Sequence, residues 1–185
     1  LKFKTYDFRK GVIGNDEIAY DVGGVNIPCG VLARSPFYSY HTDLDTPSGI
    51  SWKNFEETLL VLEEMVHIFE SNSILRRNFK YLPRLSSEKN DLYLPPDRLS
   101  GISGNSLKYQ KKLLKNIPKN TQSIIIKNTH KFNYLMNCIS NMCEGNNTIL
   151  DIATHADLPF RFVENYINLW VEKKLITKTW KHPFK

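Results

Sequence analysis

The chain has 185 residues, of which 41% are hydrophobic and 24% are charged, and these are ordinary values for a soluble globular protein. No apolar run approaches the roughly 20 residues of a membrane span, and the chain does not open on a signal peptide, so the sequence predicts neither a membrane protein nor a secreted one. Three cysteines without C-x-x-C spacing predict reduced thiols in a cytoplasmic protein.

The net charge of +6 is unevenly distributed along the chain. Residues 1–80 contain 9 Lys and Arg against 11 Asp and Glu, whereas residues 81–185 contain 16 against 8, so the two parts carry −2 and +8. A basic part is typical of a nucleic-acid binder, of a protein with an acidic partner, or of a lysine-rich solvated surface. Because the lysines are not interleaved with aromatic residues, the sequence favours the solvated surface.

The first part of the chain predicts short elements separated by turns. Alternation of Phe3, Thr5 and Asp7 with their neighbours predicts a short strand, and the segment GNDE predicts a turn that leads into a short helix. The run VNIPCGVLAR has the length and composition of a strand, and its proline, Pro28, favours an edge position or a strand that starts after it.

The segment YHTDLDT, residues 40–46, precedes the most regular helix that the sequence predicts. Its histidine, His41, fits three interpretations: a helix-capping turn, a metal ligand supported by a nearby carboxylate, and a solvated acidic loop. Apolar residues at spacings of three and four then predict an amphipathic helix from about residue 52 to Ser71, with Ser51 as its N-cap. We expect the apolar stripe of this helix to pack on another element. The stripe comprises Trp52, Phe55, Leu59, Leu62, Val66 and Phe69.

From about residue 72 to residue 131 the periodic pattern weakens. Pro, Ser, Gly and Asp are frequent in LPRLSSEKNDLYLPPDRLSGISGNS, as they are in linkers and long ordered loops. A short basic helix is predicted over SLKYQKKLLKNI and a short strand over QSIIIKN. Because connectors of this length are uncommon inside one compact domain, the sequence predicts a domain boundary here and a connector over residues 81–130.

Residues 131–185 predict a helical unit closed by a strand. A helix that carries Phe132 and Ile139 and ends at Gly145 is followed by a short helix capped by Thr148 or Asn147. A turn at ADLP, a longer helix that opens near its proline and a strand-like tail complete the pattern. The helix lengths, the position of the turn and the closing EKKLI resemble a winged helix-turn-helix domain.

A winged helix-turn-helix domain implies either a docking role or nucleic-acid binding. The early exposed positions of its second helix would face base edges, but they carry only one cation against one carboxylate. Neutralising phosphates supplies most non-specific affinity for nucleic acid, so this composition favours a structural role, protein docking or homo-oligomer formation. Three lysines in the tail TKTWKHPFK are the best sequence argument for nucleic acid. The base-facing positions are Arg161, Glu164, Asn165 and Asn168.

Residues 1–80, read as a unit, resemble the zinc aminopeptidase fold. The resemblance rests on the order of four features: the GNDE turn, the strand GVNIPCGVLAR, the segment YHTDLDT and a long amphipathic helix. In that family the corresponding order is a G-S-D turn, a strand, an H-T-x-x-D motif and a final helix. The match is closer to an uncharacterised bacterial aminopeptidase-like family, which also has Glu at the fourth position of the turn, Arg at the end of the strand and an appended C-terminal winged helix.

The resemblance implies that His41 is a ligand of one of two active-site zinc ions. A neutral imidazole binds zinc well, and a nearby carboxylate commonly fixes its tautomer and orientation. Asp45 or Asp43 would supply that carboxylate. A turn or capping role for Asp45 is the open alternative.

The resemblance also implies three further site residues. Asp16 and Glu17 correspond to the turn beside the active site, where Glu17 would be a peripheral ligand or an acceptor for the substrate amine. Arg34 would lie at the C-terminal end of the strand, where ligand-facing residues gather in an open α/β sheet, and would hold a substrate carboxylate. Surface positions for Glu17 and Arg34 remain the alternatives.

The implied zinc site is incomplete within this sequence. The family requires a first His, a bridging Asp, a Glu–Glu pair and another Asp ahead of the final histidine, and the residues before GNDE contain Asp7 as their sole carboxylate. We therefore expect a longer parent protein that supplies the other zinc ligands and cleaves a peptide or a small amide, and we expect the 185-residue chain alone to be inactive.

The predicted fold class is α/β, and three domains are expected. Residues 1–80 form the C-terminal part of a zinc-aminopeptidase-like domain, residues 81–130 form the connector, and residues 131–185 form a winged helix-turn-helix domain. The alternative function is that of a winged-helix protein that binds nucleic acid or regulates by protein docking.

Overall fold

The computed structural model combines helices with a small antiparallel sheet, so the predicted α/β class is confirmed at this level. By its contacts the chain divides into two compact units, Leu1–Asn54 and Phe55–Lys185. The predicted strand around Thr5 lies outside the described residues. The structure describes residues 17–20, 23–25, 27, 29–34, 36, 38–99 and 104–180.

Short elements and turns make up the described part of the first unit. Helix α1, Glu17–Tyr20, confirms the short helix predicted after the GNDE turn. The strand predicted over VNIPCGVLAR is wrong in its described part, because residues 29–34 have no regular secondary structure. A strand needs a neighbouring strand for its backbone hydrogen bonds, and the described residues of this unit contain none.

The elements that follow confirm every helix predicted from periodicity after residue 50, and they confirm the strand-like tail. The two further strands and the helical state of QSIIIKN are differences from the prediction. The elements are α2 (Trp52–Ser71), β1 (Ser73–Arg77), α3 (Gly104–Leu113), α4 (Lys119–Lys127), α5 (Phe132–Met142), β2 (Glu144–Thr148), α6 (Ile149–Ala156), α7 (Phe160–Glu172) and β3 (Ile176–Trp180).

Three strands form one antiparallel sheet with the order β2-β1-β3. Ile74 pairs with both Thr148 of β2 and Thr179 of β3, so the strand that directly follows α2 is the central one. One residue, Asn72, separates α2 from β1. Because β1 pairs on both sides, the sheet fixes the C-terminal end of α2 against the C-terminal helices.

The predicted connector contributes to the hydrophobic core of the second unit. Leu92, Leu94 and Leu99 are buried, as are residues of α3 and α4, and all of them belong to the cluster that contains Trp170 and Tyr166 of α7. By contact, residues 81–130 therefore belong to the same compact unit as the helices after them. The boundaries near residues 80 and 130 stay predictions about domain identity.

Helix α4 replaces the predicted strand over QSIIIKN. Three successive isoleucines favour a strand by composition, but only the middle one, Ile125, is buried, while Ile124 and Ile126 are exposed. A single buried position suffices to anchor a short helix on a core that already exists. Tertiary packing outweighs the local β propensity here.

Both ends of α6 and the turn that leads into α7 follow the predicted pattern of capping and turn residues. The hydroxyl of Thr148 accepts a hydrogen bond from the backbone N–H of Asp151, and the Asp151 carboxylate accepts one from the N–H of Thr148, which is a capping box. Asp157 ends α6 in the left-handed region with φ 50°. Pro159 is the N-cap residue of α7.

Gly145 lies inside β2 and does not cap α5, contrary to the prediction. Its φ is +96°, a conformation that side-chain-bearing residues rarely adopt. A Cβ atom at this position would lie 2.9 Å from Nη2 of Arg76 on the neighbouring strand. The positive φ therefore favours glycine, and any side chain here would also force the exposed guanidinium of Arg76 to shift.

The variant Gly145→Ala is expected to lower the free energy of unfolding by about 1–3 kcal/mol, because alanine is strained at this φ and its Cβ collides with Arg76. Urea denaturation followed by circular dichroism measures the change. Gly49→Ala is the matched control, since nothing lies within 4 Å of a Cβ there. Combining Gly145→Ala with Arg76→Ala should recover the part of the loss that comes from the contact with Arg76, but not the part that comes from the backbone strain. An unchanged free energy of unfolding in Gly145→Ala would contradict the need for glycine at this position.

Candidate functional site

His41 lies in a hydrogen-bonded turn of the first unit. Its φ is +61°, and its ring stacks on Tyr40 with ring centroids 3.9 Å apart. The Thr42 hydroxyl donates to the carbonyl of Ser39 at 2.7 Å and accepts from the N–H of Leu44 at 3.2 Å. A non-glycine residue with positive φ is uncommon, and here the hydrogen bonds of the turn maintain this backbone conformation.

Asp45 belongs to the same turn. Its backbone N–H donates to the carbonyl of Thr42 at 3.1 Å, and its side chain is exposed. The structure gives no hydrogen bond between the carboxylate of Asp45 and the His41 ring. The turn geometry of Asp45 fits the turn interpretation, and its predicted support of His41 stays a prediction.

In the described part of the chain, the other predicted site residues are not brought together with His41. Arg34 is exposed in the irregular segment after α1. Glu17 is the first residue of α1, and neither its side chain nor Asp16 is among the described groups. Asp43 is exposed in the turn.

Zinc requires about four ligands in a tetrahedral site. No group of three or more His, Cys, Asp or Glu side chains that could hold a metal occurs in the part of the chain that the structure describes. The described residues therefore do not fit a zinc ion by themselves. His41 would be one ligand among several that come from elsewhere.

The cysteines add no ligand set to this region. All three are free, and Cys138 and Cys143 are buried in the second unit. Burial raises the pKa of the Cys138 thiol, and burial together with the carboxylate of Glu144 raises the pKa of Cys143 to about 12. Since the thiolate is the form that binds metal or attacks a substrate, these two thiols are inert near neutral pH.

The face of α7 that was predicted to offer side chains to base edges contacts α2 instead. Nε of Arg161 donates to Oε1 of Glu64 at 2.6 Å. Nε2 of His67 lies 2.7 Å from Oε2 of Glu164, a contact in which both side chains are mostly buried. The Arg161–Glu64 ion pair and the His67–Glu164 hydrogen bond hold α2 along the N-terminal half of α7.

The two asparagines of that face are also bonded within the protein. Nδ2 of Asn165 donates to the carbonyls of Leu113 and Lys115 at 2.9 and 3.0 Å, at the C-terminal end of α3. Oδ1 of Asn168 accepts from Nζ of Lys178 at 2.8 Å. All four predicted base-facing residues are thus committed to intramolecular contacts.

Sequence reasoning gave His67 no role, and the structure places it beside a serine as well as a carboxylate. Oγ of Ser71 lies 3.4 Å from Nδ1 of His67, and a hollow of about 500 Å³ lies beside Ser71 and Glu164. The serine–histidine distance exceeds the 2.6–3.2 Å of an activated nucleophile. Ser71 also ends α2, where the helix dipole disfavours an alkoxide. The arrangement is a structural contact between α2 and α7.

The N-terminal part of the chain is similar to one known protein family. Residues 1–72 match one family model, described as a domain of unknown function (DUF4910). The match ends one residue after α2 ends. No curated protein and no solved structure matches the chain significantly. None of the helices in the described part of the chain combines the length and the hydropathy that a membrane crossing requires.

Proposed function

We propose that residues 1–72 are the closing part of a zinc-dependent, aminopeptidase-like hydrolase domain that acts on a peptide or a small amide, with His41 as one metal ligand. The observation that carries the proposal is the apolar stripe of α2. Its six side chains are between 43% and 75% exposed, although the helix is about 30 Å long and amphipathic. An exposed apolar stripe of this length indicates a surface that packs against another element.

The hydrogen bonds of α2 show which of its faces packs against the other elements of the second unit. Glu64 and His67 bond to α7, and the carbonyl of Phe69 accepts from Nε1 of Trp180 at 3.1 Å. The opposite face carries Leu59 and Val66, which are about half exposed. Covering the six side chains of the stripe would stabilise the protein by on the order of 5–10 kcal/mol, because each is about half exposed and full burial of a large apolar side chain contributes about 1.5–3 kcal/mol.

The proposed roles of the site residues follow the family resemblance. His41 binds the metal through its imidazole, and Asp45 orients the ring from the same turn. Glu17 and Asp16 line the substrate amine side, and Arg34 holds a substrate carboxylate. The exposure of His41 supports this proposal, because an exposed imidazole can bind a metal.

The 185-residue chain alone is expected to retain less than one equivalent of zinc after gel filtration, because His41 is the one imidazole at the proposed site and zinc needs about four ligands. Inductively coupled plasma mass spectrometry of the metal-saturated and desalted chain measures the content. His130→Ala serves as the histidine control. Tightly held, stoichiometric zinc that is lost on His41→Ala would show that the chain holds a complete site.

The second candidate function concerns the C-terminal helices. We propose that residues 131–180 form a winged helix-turn-helix unit that braces α2 and docks protein, and that α7 does not read bases. The contacts of Arg161, Glu164, Asn165 and Asn168 within the protein support this candidate, since a recognition helix must present free side chains to the groove.

A further inference from the structure

The basic charge of the second unit is concentrated in one segment. Between Asp97 and Glu144 the sequence contains no Asp or Glu, but it contains seven lysines and one arginine. Residues 98–143 thus carry +8, the same charge as the whole of residues 81–185. Arg98, Lys112 and Lys131 pair with carboxylates outside the segment, so its positive potential comes from the five remaining lysines.

Helix α3 arranges part of this charge as a stripe. Lys108 and Lys115 each lie three or four residues from both Lys111 and Lys112, and all four side chains are exposed, so they lie within one face of the helix and the turn after it. Lys119 opens α4 and is also exposed. We call these five residues the lysine stripe.

Most of the lysine stripe has no carboxylate partner. Lys112 forms an ion pair with Glu172 at 2.7 Å, and the other four lysines form no ion pair with any residue that the structure describes. Repulsion between exposed lysines destabilises the protein, and binding of a polyanion relieves this repulsion. The stripe therefore presents four lysines to an external partner.

The burial of α3 excludes one kind of partner, a membrane into which this helix would insert. Tyr109, Leu113 and Leu114 are buried in the core, and Ile117 is buried in the turn that follows. A helix that lies in a membrane interface must insert its apolar face into the lipid. The apolar face of α3 is already occupied by the protein.

The composition of the stripe decides between nucleic acid and an acidic protein. Protein interfaces have aromatic or apolar residues at their centre and are depleted of lysine there. The stripe has lysines at its centre, and Leu107, which is half exposed, lies at its edge. Lysine, a mobile point charge, suits phosphates whose positions do not depend on sequence.

We infer that the lysine stripe binds the phosphate backbone of a nucleic acid without reading its sequence. Four phosphates contact Lys108, Lys111, Lys115 and Lys119 and displace the condensed counterions. The face of α7 takes no part, since its polar side chains are bonded to α2, α3 and β3. This activity is separate from the proposed hydrolase function.

Fluorescence anisotropy with two fluorescein-labelled 20-base-pair duplexes of unrelated sequence tests the inference with the full 185-residue chain. We expect equal affinities for both duplexes and a slope of log K against log salt of about −3.6 between 50 and 200 mM NaCl, the value for four phosphate contacts. The triple variant Lys108→Gln, Lys111→Gln, Lys115→Gln should reduce the slope to about −0.9 and weaken binding at least tenfold at the lowest salt.

The matched control is Lys53→Gln, Lys80→Gln, Lys89→Gln, which removes the same charge from exposed positions outside the stripe. Its slope should stay near that of the unaltered chain, and circular dichroism verifies that both triple variants fold. Equal losses in the two triple variants, no binding of either duplex at 50 mM NaCl, or a preference for one duplex would each overturn the inference. Tighter binding to polyglutamate or to phosphatidylserine vesicles than to the duplexes would overturn it as well and would assign the stripe to an acidic protein or a lipid surface.

Discussion

His41→Ala in the complete gene product that carries this chain is expected to lose one of two zinc ions and nearly all hydrolytic activity while the protein stays folded. The side chain is exposed in a turn that is closed by hydrogen bonds of Thr42 and by the N–H of Asp45, and no buried contact depends on the imidazole. Its removal therefore costs little folding free energy, whereas a metal that loses a direct ligand loses affinity and geometry.

Asp45→Asn provides the graded comparison. A carboxylate that orients a ligating histidine typically contributes 10–100-fold to metal affinity or activity, so this variant should be impaired by about that factor and less than His41→Ala. His130→Ala, in the second unit, is the matched histidine control and should retain full metal content. Metal analysis, hydrolysis of aminoacyl anilides and thermal denaturation are measured on the same samples. Unchanged zinc content in His41→Ala would show that His41 is only a turn residue.

The parts of the fold that were predicted correctly depend on contacts between near neighbours in sequence. The capping box joins Thr148 to Asp151, three residues apart, and the end of α6 needs only the left-handed Asp157. The stripe of α2 repeats every three or four residues, so its helical state could be read from the sequence directly. Each of these features is determined by residues that lie within three or four positions of one another.

The elements that were missed depend on partners far away in the sequence. Strand β1 has only five residues, two of them arginines. The residues that pair with its Ile74, Thr148 and Thr179, lie 74 and 105 positions further along the chain. Its strand state follows from that pairing, and local composition carries little trace of it. The same holds for Gly145, which was predicted to be a helix cap because glycine commonly serves as one, and which lies inside a strand with a φ of +96°, beside Arg76 of the neighbouring strand.

The candidate metal site shows the same division. The turn around His41 could be predicted from YHTDLDT, because the hydrogen bonds of the turn are local. The ligand set could not, since metal sites assemble residues from separate segments, and the described residues bring no second ligand to His41. The bonds of Glu64 and His67 to α7 were equally invisible, because each joins residues 97 positions apart.

The double variant Leu59→Lys, Val66→Lys is expected to separate the isolated chain from the complete protein. In the 185-residue chain both positions are about half exposed, so the free energy of unfolding should change by less than about 1 kcal/mol. Fluorescence of the dye ANS and the sedimentation coefficient at high concentration should both decrease, because the exposed stripe that binds the dye and promotes self-association is interrupted.

In the complete gene product the same double variant should abolish soluble, active protein, because two lysines would be buried against the sheet that α2 is proposed to cover. Glu56→Gln combined with Glu63→Gln is the matched control: it adds the same two units of positive charge on exposed positions beside the stripe and should leave folding and activity unchanged. Activity, solubility and urea denaturation are compared for the three proteins. If the lysine variant of the complete protein is as stable and active as the unaltered one, the stripe faces solvent there too, and α2 is not the final helix of a hydrolase domain.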